Sequence, residues 1–193
     1  MNVSPSKPEF KIVFVGDSSV GKTSIIVRYS NNSFSSDNQP TIGAAFVSKE
    51  VTSPYGQAIL HIWDTAGQER YRSLVPMYAR GSSIAIIVFD TSDEDGFTSV
   101  EDWIAKVQED VTPECKIIVV GNKLDLEPRF NRDYVDDWSK KKEIPVVYAS
   151  AKSGQGIDLI FQTVVAALPQ AKFVLSGQDV DIENNKKEKK SCC

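Results

Sequence analysis

Apolar residues fall along the chain in three rhythms, and each predicts a different kind of element. Residues 11–15, 84–89 and 116–120 are runs of β-branched and aromatic residues of strand length, the pattern of strands covered on both faces. Residues 45–52 and 58–63 flank Ser-Pro-Tyr-Gly-Gln, a turn signal, and predict an antiparallel hairpin. Phe97, Val100, Ile104 and Val107 recur at helical spacing. Ile157, Ile160, Phe161, Val164, Val165 and Leu168 do so more fully, as an amphipathic helix stopped by Pro169. Residues 25–29 can continue a helix after the first strand, and Val146-Val147 supplies one more short strand. Strands alternating with helices predict an α/β fold with a largely parallel sheet.

The polar stretches set the limits of that fold. Residues 1–9 are polar, hold two prolines and read as a flexible arm. Residues 31–40 are a loop by composition, long enough to suggest a functional role. Past Ala171 aromatic content nearly vanishes, so residues 172–193 read as a disordered tail and residues 10–171 as one domain.

Charge changes this picture at one end. The net charge of −4 divides into +3 on the last eight residues and −7 on the rest. An acidic body gives no support for nucleic-acid binding, whereas a basic terminus suits an anionic membrane surface. The run 84–89 is far too short to span a bilayer, and residues 1–9 lack the apolar segment of a secretory leader. Three cysteines, two of them adjacent at positions 192 and 193, make neither a disulfide framework nor a zinc site and suit a reducing compartment.

The chemistry begins directly after the first strand, at Gly16-Asp17-Ser18-Ser19-Val20-Gly21-Lys22-Thr23-Ser24. This matches G-x-x-x-x-G-K-[ST] in the strand, loop and helix context that aims backbone N–H groups and a helix N-terminus at phosphate oxygens. Lys22 is placed to bridge terminal phosphates, and Thr23 to offer its hydroxyl to Mg²⁺. Asp64-Thr65-Ala66-Gly67-Gln68 closes the next strand. A carboxylate there suits Mg²⁺, Gly67 can bring a backbone N–H to a γ-phosphate, and Gln68 can orient an attacking water. Asn122-Lys123-Leu124-Asp125 follows another strand, and its terminal carboxylate can accept from guanine N1–H and the exocyclic amine, donors that adenine lacks there. Ser150-Ala151-Lys152 forms a third strand-end loop whose N–H groups can reach guanine O6. The single histidine, His61, reads as a packing or surface residue.

Together with Thr41, these segments resemble the five guanine-nucleotide boxes of the Ras-like small GTPases, in order, from about Phe10 to Leu168. Residues 63–71 and the terminal Cys192-Cys193 resemble the Rab family, and residues 41–46 and 71–78 its early-endosomal subgroup. The resemblance implies a P-loop NTPase-type mixed six-stranded sheet with one antiparallel strand and helices on both faces. Thr41 would coordinate Mg²⁺ and contact the γ-phosphate, with Thr23 and Asp64 completing the metal set. Phe34 would pack on the base or ribose. Phe46, Trp63 and Tyr78 would be an exposed aromatic triad read by effectors, although composition alone places such residues in a core.

The implied activity is hydrolysis of GTP to GDP and phosphate, with Gln68 as the catalytic residue. No arginine occurs in residues 31–40, so turnover would be slow alone. An activating protein's arginine adds about 10³ to 10⁵-fold in Ras itself, the reference case for that figure, or roughly 4–7 kcal/mol of barrier. Rab activators commonly bring a glutamine as well, leaving Gln68 to the unassisted reaction. Implied partners are an exchange factor, an activating protein, Rab escort protein, GDP dissociation inhibitor and effectors, around a monomer. Two prenylated thiols at Cys192 and Cys193 plus the basic run would meet the two-signal requirement for stable anchoring to a membrane. The tail's span, on the order of 25 Å as a coil, would hold the domain off the bilayer. The expected location is the cytoplasmic face of the early endosome, with a cytosolic pool on the dissociation inhibitor.

Two departures from the family pattern stand out. Tyr148-Ala149 replaces an acidic residue and a Thr or Cys, which predicts a looser base loop and faster nucleotide release. Ser18-Ser19 stands where Ras-like proteins often have glycine, a substitution common among Rabs. Two other classes fit parts of the pattern. A GTP-dependent membrane scaffold with negligible turnover conflicts with Gln68 and Thr41, and a small-molecule P-loop kinase conflicts with Asn122-Lys-Leu-Asp125 and the tail.

Overall fold

The computed structural model describes residues 7–36, 41–67, 73–109, 111–170 and 172–173. The elements run β1 (Glu9–Val15), α1 (Lys22–Asn31), β2 (Ala44–Ser53), β3 (Gly56–Thr65), α2 (Val75–Ala79), β4 (Ile84–Asp90), α3 (Val100–Gln108), β5 (Lys116–Asn122), α4 (Arg132–Lys142), β6 (Val146–Tyr148) and α5 (Ile157–Ala167). They form one six-stranded sheet in the order β2-β3-β1-β4-β5-β6. β2 pairs antiparallel with β3, and the other pairs are parallel. This is the mixed α/β architecture the sequence predicts.

The apolar runs in the central strands serve two cores at once, because alternate side chains point to opposite faces. Phe10, Ile12, Phe14, Ile84, Ile86, Val88, Ile118 and Val120 pack with Ile25 and Ile26 of α1 and Ile157, Ile160, Phe161 and Val164 of α5. Val13, Val15, Ala85, Ile87, Phe89 and Val119 face the other way, onto Val75 of α2, Trp103 and Val107 of α3, and Val135 and Trp138 of α4. The parallel register then aligns the carboxyl ends, with Phe14 opposite Asp64 and Asp90 opposite Asn122. Phosphate-loop, aspartate and asparagine segments therefore leave the sheet at one edge, where ligands bind in such folds.

Two helices have no counterpart in the predicted pattern. α2 is only five residues long, and α4 buries only Val135 and Trp138 within a charged sequence. α4 is specified by its ends: Asn131 Oδ1 accepts from the Tyr134 amide, Asp133 lies in the first turn, and Lys140, Lys141 and Lys142 lie in the last. α3 begins at Val100, while Phe97 is buried in the turn that leads into it.

Residues assigned to the two terminal segments also take part in packing. Pro8 O accepts from the Ile59 amide, and Lys7 pairs with Glu50. Lys172 and Phe173, placed in the tail by composition, contact the Phe10 ring at 5.1 and 5.3 Å. The rest of the predicted tail, with Cys192 and Cys193, lies outside the described residues. Among the described residues no helix is long and apolar enough to cross a membrane.

Candidate functional site

At the carboxyl edge of the sheet the loops enclose a cavity of about 400 Å³. Fourteen predicted site residues line it: Ser18, Ser19, Gly21, Lys22, Thr23, Ser24, Phe34, Thr41, Gly67, Asn122, Lys123, Asp125, Ala151 and Lys152. Val20, Ser150 and Asp64 stand behind that lining, while Gln68 lies outside the described residues. Thr65, inside the Asp64–Gln68 segment but given no role there, and Ser35, Ser36 and Leu126, outside any motif, also line the cavity. They adjoin motif residues or Phe34, which was the available signal.

At one end the loop 16–21 curls around the Lys22 side chain. Lys22 is 6% exposed, and its Nζ donates to Gly16 O and Asp17 O at 2.8 Å each. Burial pushes its pKa down to about 8 against the pull of Asp64 and Asp17. Such a cation gains most when an anion arrives, since the surrounding dielectric is low. Gly21 is confined to glycine twice over: its φ is +94°, and a Cβ would fall 2.3 Å from Asn122 Nδ2. Gly67 brings the chain after β3 so close that a Cβ there would sit 2.4 Å from Lys22 Nζ. Asp17 is steadied from the start of α3, where Ser99 Oγ, just before the helix, and Trp103 Nε1 within it donate to its carboxylate at 2.5 and 3.3 Å.

Beside Lys22, three oxygen-bearing side chains converge. Thr23 Oγ1 donates to Asp64 Oδ2 at 2.6 Å, Thr41 Oγ1 donates to the same atom at 3.2 Å, and the two hydroxyls are 3.0 Å apart. Asp64 is 4% exposed, and its Oδ1 is buried with no hydrogen-bond partner among the described residues. Burial raises its pKa, opposed by the Thr23 hydroxyl, Lys22 and Thr41. A compact set of hard oxygen donors with one carboxylate oxygen unpaired fits Mg²⁺, which takes few protein ligands and keeps waters and phosphate oxygens. Thr23, Thr41 and Asp64 could hold that ion, which would supply neutralisation of charge on the bridging and terminal phosphates.

The other end is held by side-chain bonds between loops. Asn122 is 2% exposed: Nδ2 donates to Val20 O at 2.8 Å and Oδ1 accepts from the Ala151 amide at 3.1 Å, joining all three loops. Asp125 Oδ1 accepts from Ser150 Oγ at 2.5 Å, which fixes the carboxylate, and Lys152 Nζ is 3.8 Å from Oδ2. Lys123, at φ +70°, pairs with Asp90 at 2.6 Å. Burial opposes the Asp90 charge, but the Lys123 ammonium and the Ser92 hydroxyl and amide outweigh it and hold the carboxyl below its ordinary range.

Tyr148 and Ala149, the departure from which a looser base loop is predicted, make ties of their own. Tyr148 OH donates to Asp136 Oδ1 at 2.8 Å, and the Arg132 guanidinium lies 4.4 Å from the ring centre. Ala149 is fully buried, donating to Gly121 O and accepting from the Leu124 amide.

Outside the cavity, Phe46 and Trp63 face each other across β2 and β3. Their ring centres are 5.3 Å apart, and Tyr78 follows at 6.3 Å from Trp63. The core assignment from composition is corrected for Phe46, which is 52% exposed on the edge strand β2, while Trp63 on β3 and Tyr78 on α2 are half-buried and pack against the core. Ile42 and Met77 are exposed in the same neighbourhood of the chain. His61 stacks against Phe46 and bonds Ser48 and Glu9, a surface packing role.

A largely parallel sheet whose loops present a buried lysine, a hydroxyl–carboxylate cluster and an Asn/Asp pair around one cavity defines a P-loop nucleotide-binding protein. The chain belongs to the Ras family, which it matches over residues 11–170. It is a GTP-binding switch with GTPase activity, of a kind that binds guanine nucleotides with Mg²⁺ and works through regulators and effectors.

Proposed function

We propose that the protein is a Rab-type switch of vesicular traffic at the cytoplasmic face of the early endosome. The observation that carries the proposal is continuity between site and surface. Thr41, hydrogen-bonded to Asp64, is five residues from exposed Phe46, and Trp63 directly precedes Asp64. A γ-phosphate that draws in Thr41 and Gly67 therefore acts on the backbone carrying the aromatic trio. Lys22 and Thr23 hold phosphate and metal in both states, while Thr41 and Gly67 respond to the third phosphate. Asp125 reads the guanine edge, Lys123 and Phe34 flank the base, and Ser150, Ala151 and Lys152 complete that loop.

Hydrolysis follows from placement. Gln68 orients water, and an activating protein supplies the remaining charge stabilisation. Escort protein delivers Cys192 and Cys193 for prenylation, and GDP dissociation inhibitor holds the GDP form in the cytosol. Single-turnover phosphate release from GTP-loaded protein should be slow but measurable and slower still in Gln68→Leu. Release that is undetectable would favour the membrane scaffold. A tagged chain should decorate endosomal membranes and lose them when Cys192 and Cys193 are replaced by serine; unchanged membrane association would overturn the anchoring role.

A further inference from the structure

The geometry points to Arg28 as a positioning residue that sets how long the nucleotide stays bound. This inference rests on the GTPase reading and goes beyond its motifs. Arg28 lies in the last turn of α1 and is half-buried. Its Nη1 donates to Asn32 O at 3.0 Å, which a basic residue at a helix end commonly does. Two further bonds leave the helix altogether. Nε donates to Ala151 O at 2.8 Å and Nη2 to Lys152 O at 2.7 Å. Three carbonyl oxygens from two loops thus share one planar fork of donors, a geometry an ammonium cannot reproduce.

The consequence is a closed ring of bonds around the base end. Arg28 holds Ala151 O; the Ala151 amide donates to Asn122 Oδ1; Asn122 Nδ2 donates to Val20 O; and the chain runs from Val20 through α1 back to Arg28. Ala151 and Lys152 line the cavity, so Arg28 fixes from behind the backbone that faces the base. Asn32, the third acceptor, is where the chain leaves α1 toward Phe34 on the same cavity. Displacing either the 151–152 loop or the segment after Asn32 breaks bonds to one guanidinium. The two are therefore coupled, and a partner that pulls on the segment after Asn32 loosens the base loop.

The test compares wild type, Arg28→Ala, Arg28→Gln and Arg28→Lys in the full chain loaded with fluorescent GDP. Dissociation should accelerate on the order of tenfold in Arg28→Ala and Arg28→Gln, with Arg28→Lys in between, because charged hydrogen bonds to two loop carbonyls are lost. The acceleration should persist when Mg²⁺ is chelated, since Arg28 acts at the base end. Rates within twofold of wild type, or an effect that disappears on chelation, would overturn the inference. Amide hydrogen exchange of residues 150–155 reads the ring without any nucleotide, and protection should fall in every variant that folds. Unchanged protection would count against the ring even if wild type failed to retain GDP, a failure that would by itself overturn the GTPase reading.

Discussion

The two ends of the cavity are built on opposite principles. Around Lys22 the protein leaves electrostatic demands unmet: an ammonium is buried until its pKa falls to about 8, and a buried carboxylate keeps one oxygen without a partner among the described residues. Around Asn122 the side chains are satisfied by one another, with both ends of the amide used and Asp125 pinned by Ser150. A site that must bind charge tightly gains from groups the ligand completes, whereas a site that must discriminate gains from groups already fixed in place. The first end supplies affinity and the second selectivity.

Lys22→Met should break the first end most severely. Losing a buried charge from phosphate contacts costs about 3–4 kcal/mol, so nucleotide affinity should fall by about 10² to 10³-fold in titration calorimetry. The melting temperature of the nucleotide-free protein should move by less than about 3 °C, because that charge is itself expensive to bury. Asn122→Ala should act in the reverse sense. It strands the Val20 carbonyl and the Ala151 amide, costs about 2–4 kcal/mol of folding stability and lowers the melting temperature of the nucleotide-free form by about 5–15 °C.

The sequence announces these ends unequally. Lys22, Thr23 and Asp64 are legible because the phosphate loop is one contiguous motif and Asp64 closes an apolar strand. Asp125 is legible only once the strand before it is placed. The central strands and α5 declare themselves through apolar runs and spacing, whereas α4 offers only Val135 and Trp138 and depends on its caps. Phe46 reads as core because composition does not reveal that β2 is an edge. Arg28 is invisible in sequence, since two of its acceptors lie more than 120 residues away. Tyr148 stands out in the sequence as a departure from the family pattern, whereas its contacts with Asp136 and Arg132 of α4 are a tertiary fact.

Smaller effects sharpen the contrast further. Asp125→Asn should keep the fold, because Ser150 can still donate to the amide oxygen, while one hydrogen-bond direction toward guanine reverses. Preference should shift from guanine toward xanthine nucleotides by about 1–3 kcal/mol, or roughly 5 to 150-fold, in competition binding. Tyr148→Phe removes only the bond to Asp136 and should cost about 1 kcal/mol of stability, with GDP release rising no more than about threefold in stopped-flow fluorescence.

The division between the ends can be read in one competition experiment. GDP and ADP affinities are measured with Mg²⁺ present and again with it chelated. Chelation should weaken GDP binding by orders of magnitude while the ratio of GDP to ADP affinity holds within about threefold, because the metal serves only the Lys22 end. A ratio that collapses along with the affinity would contradict the account, since selectivity would then depend on the same groups as the grip on phosphate.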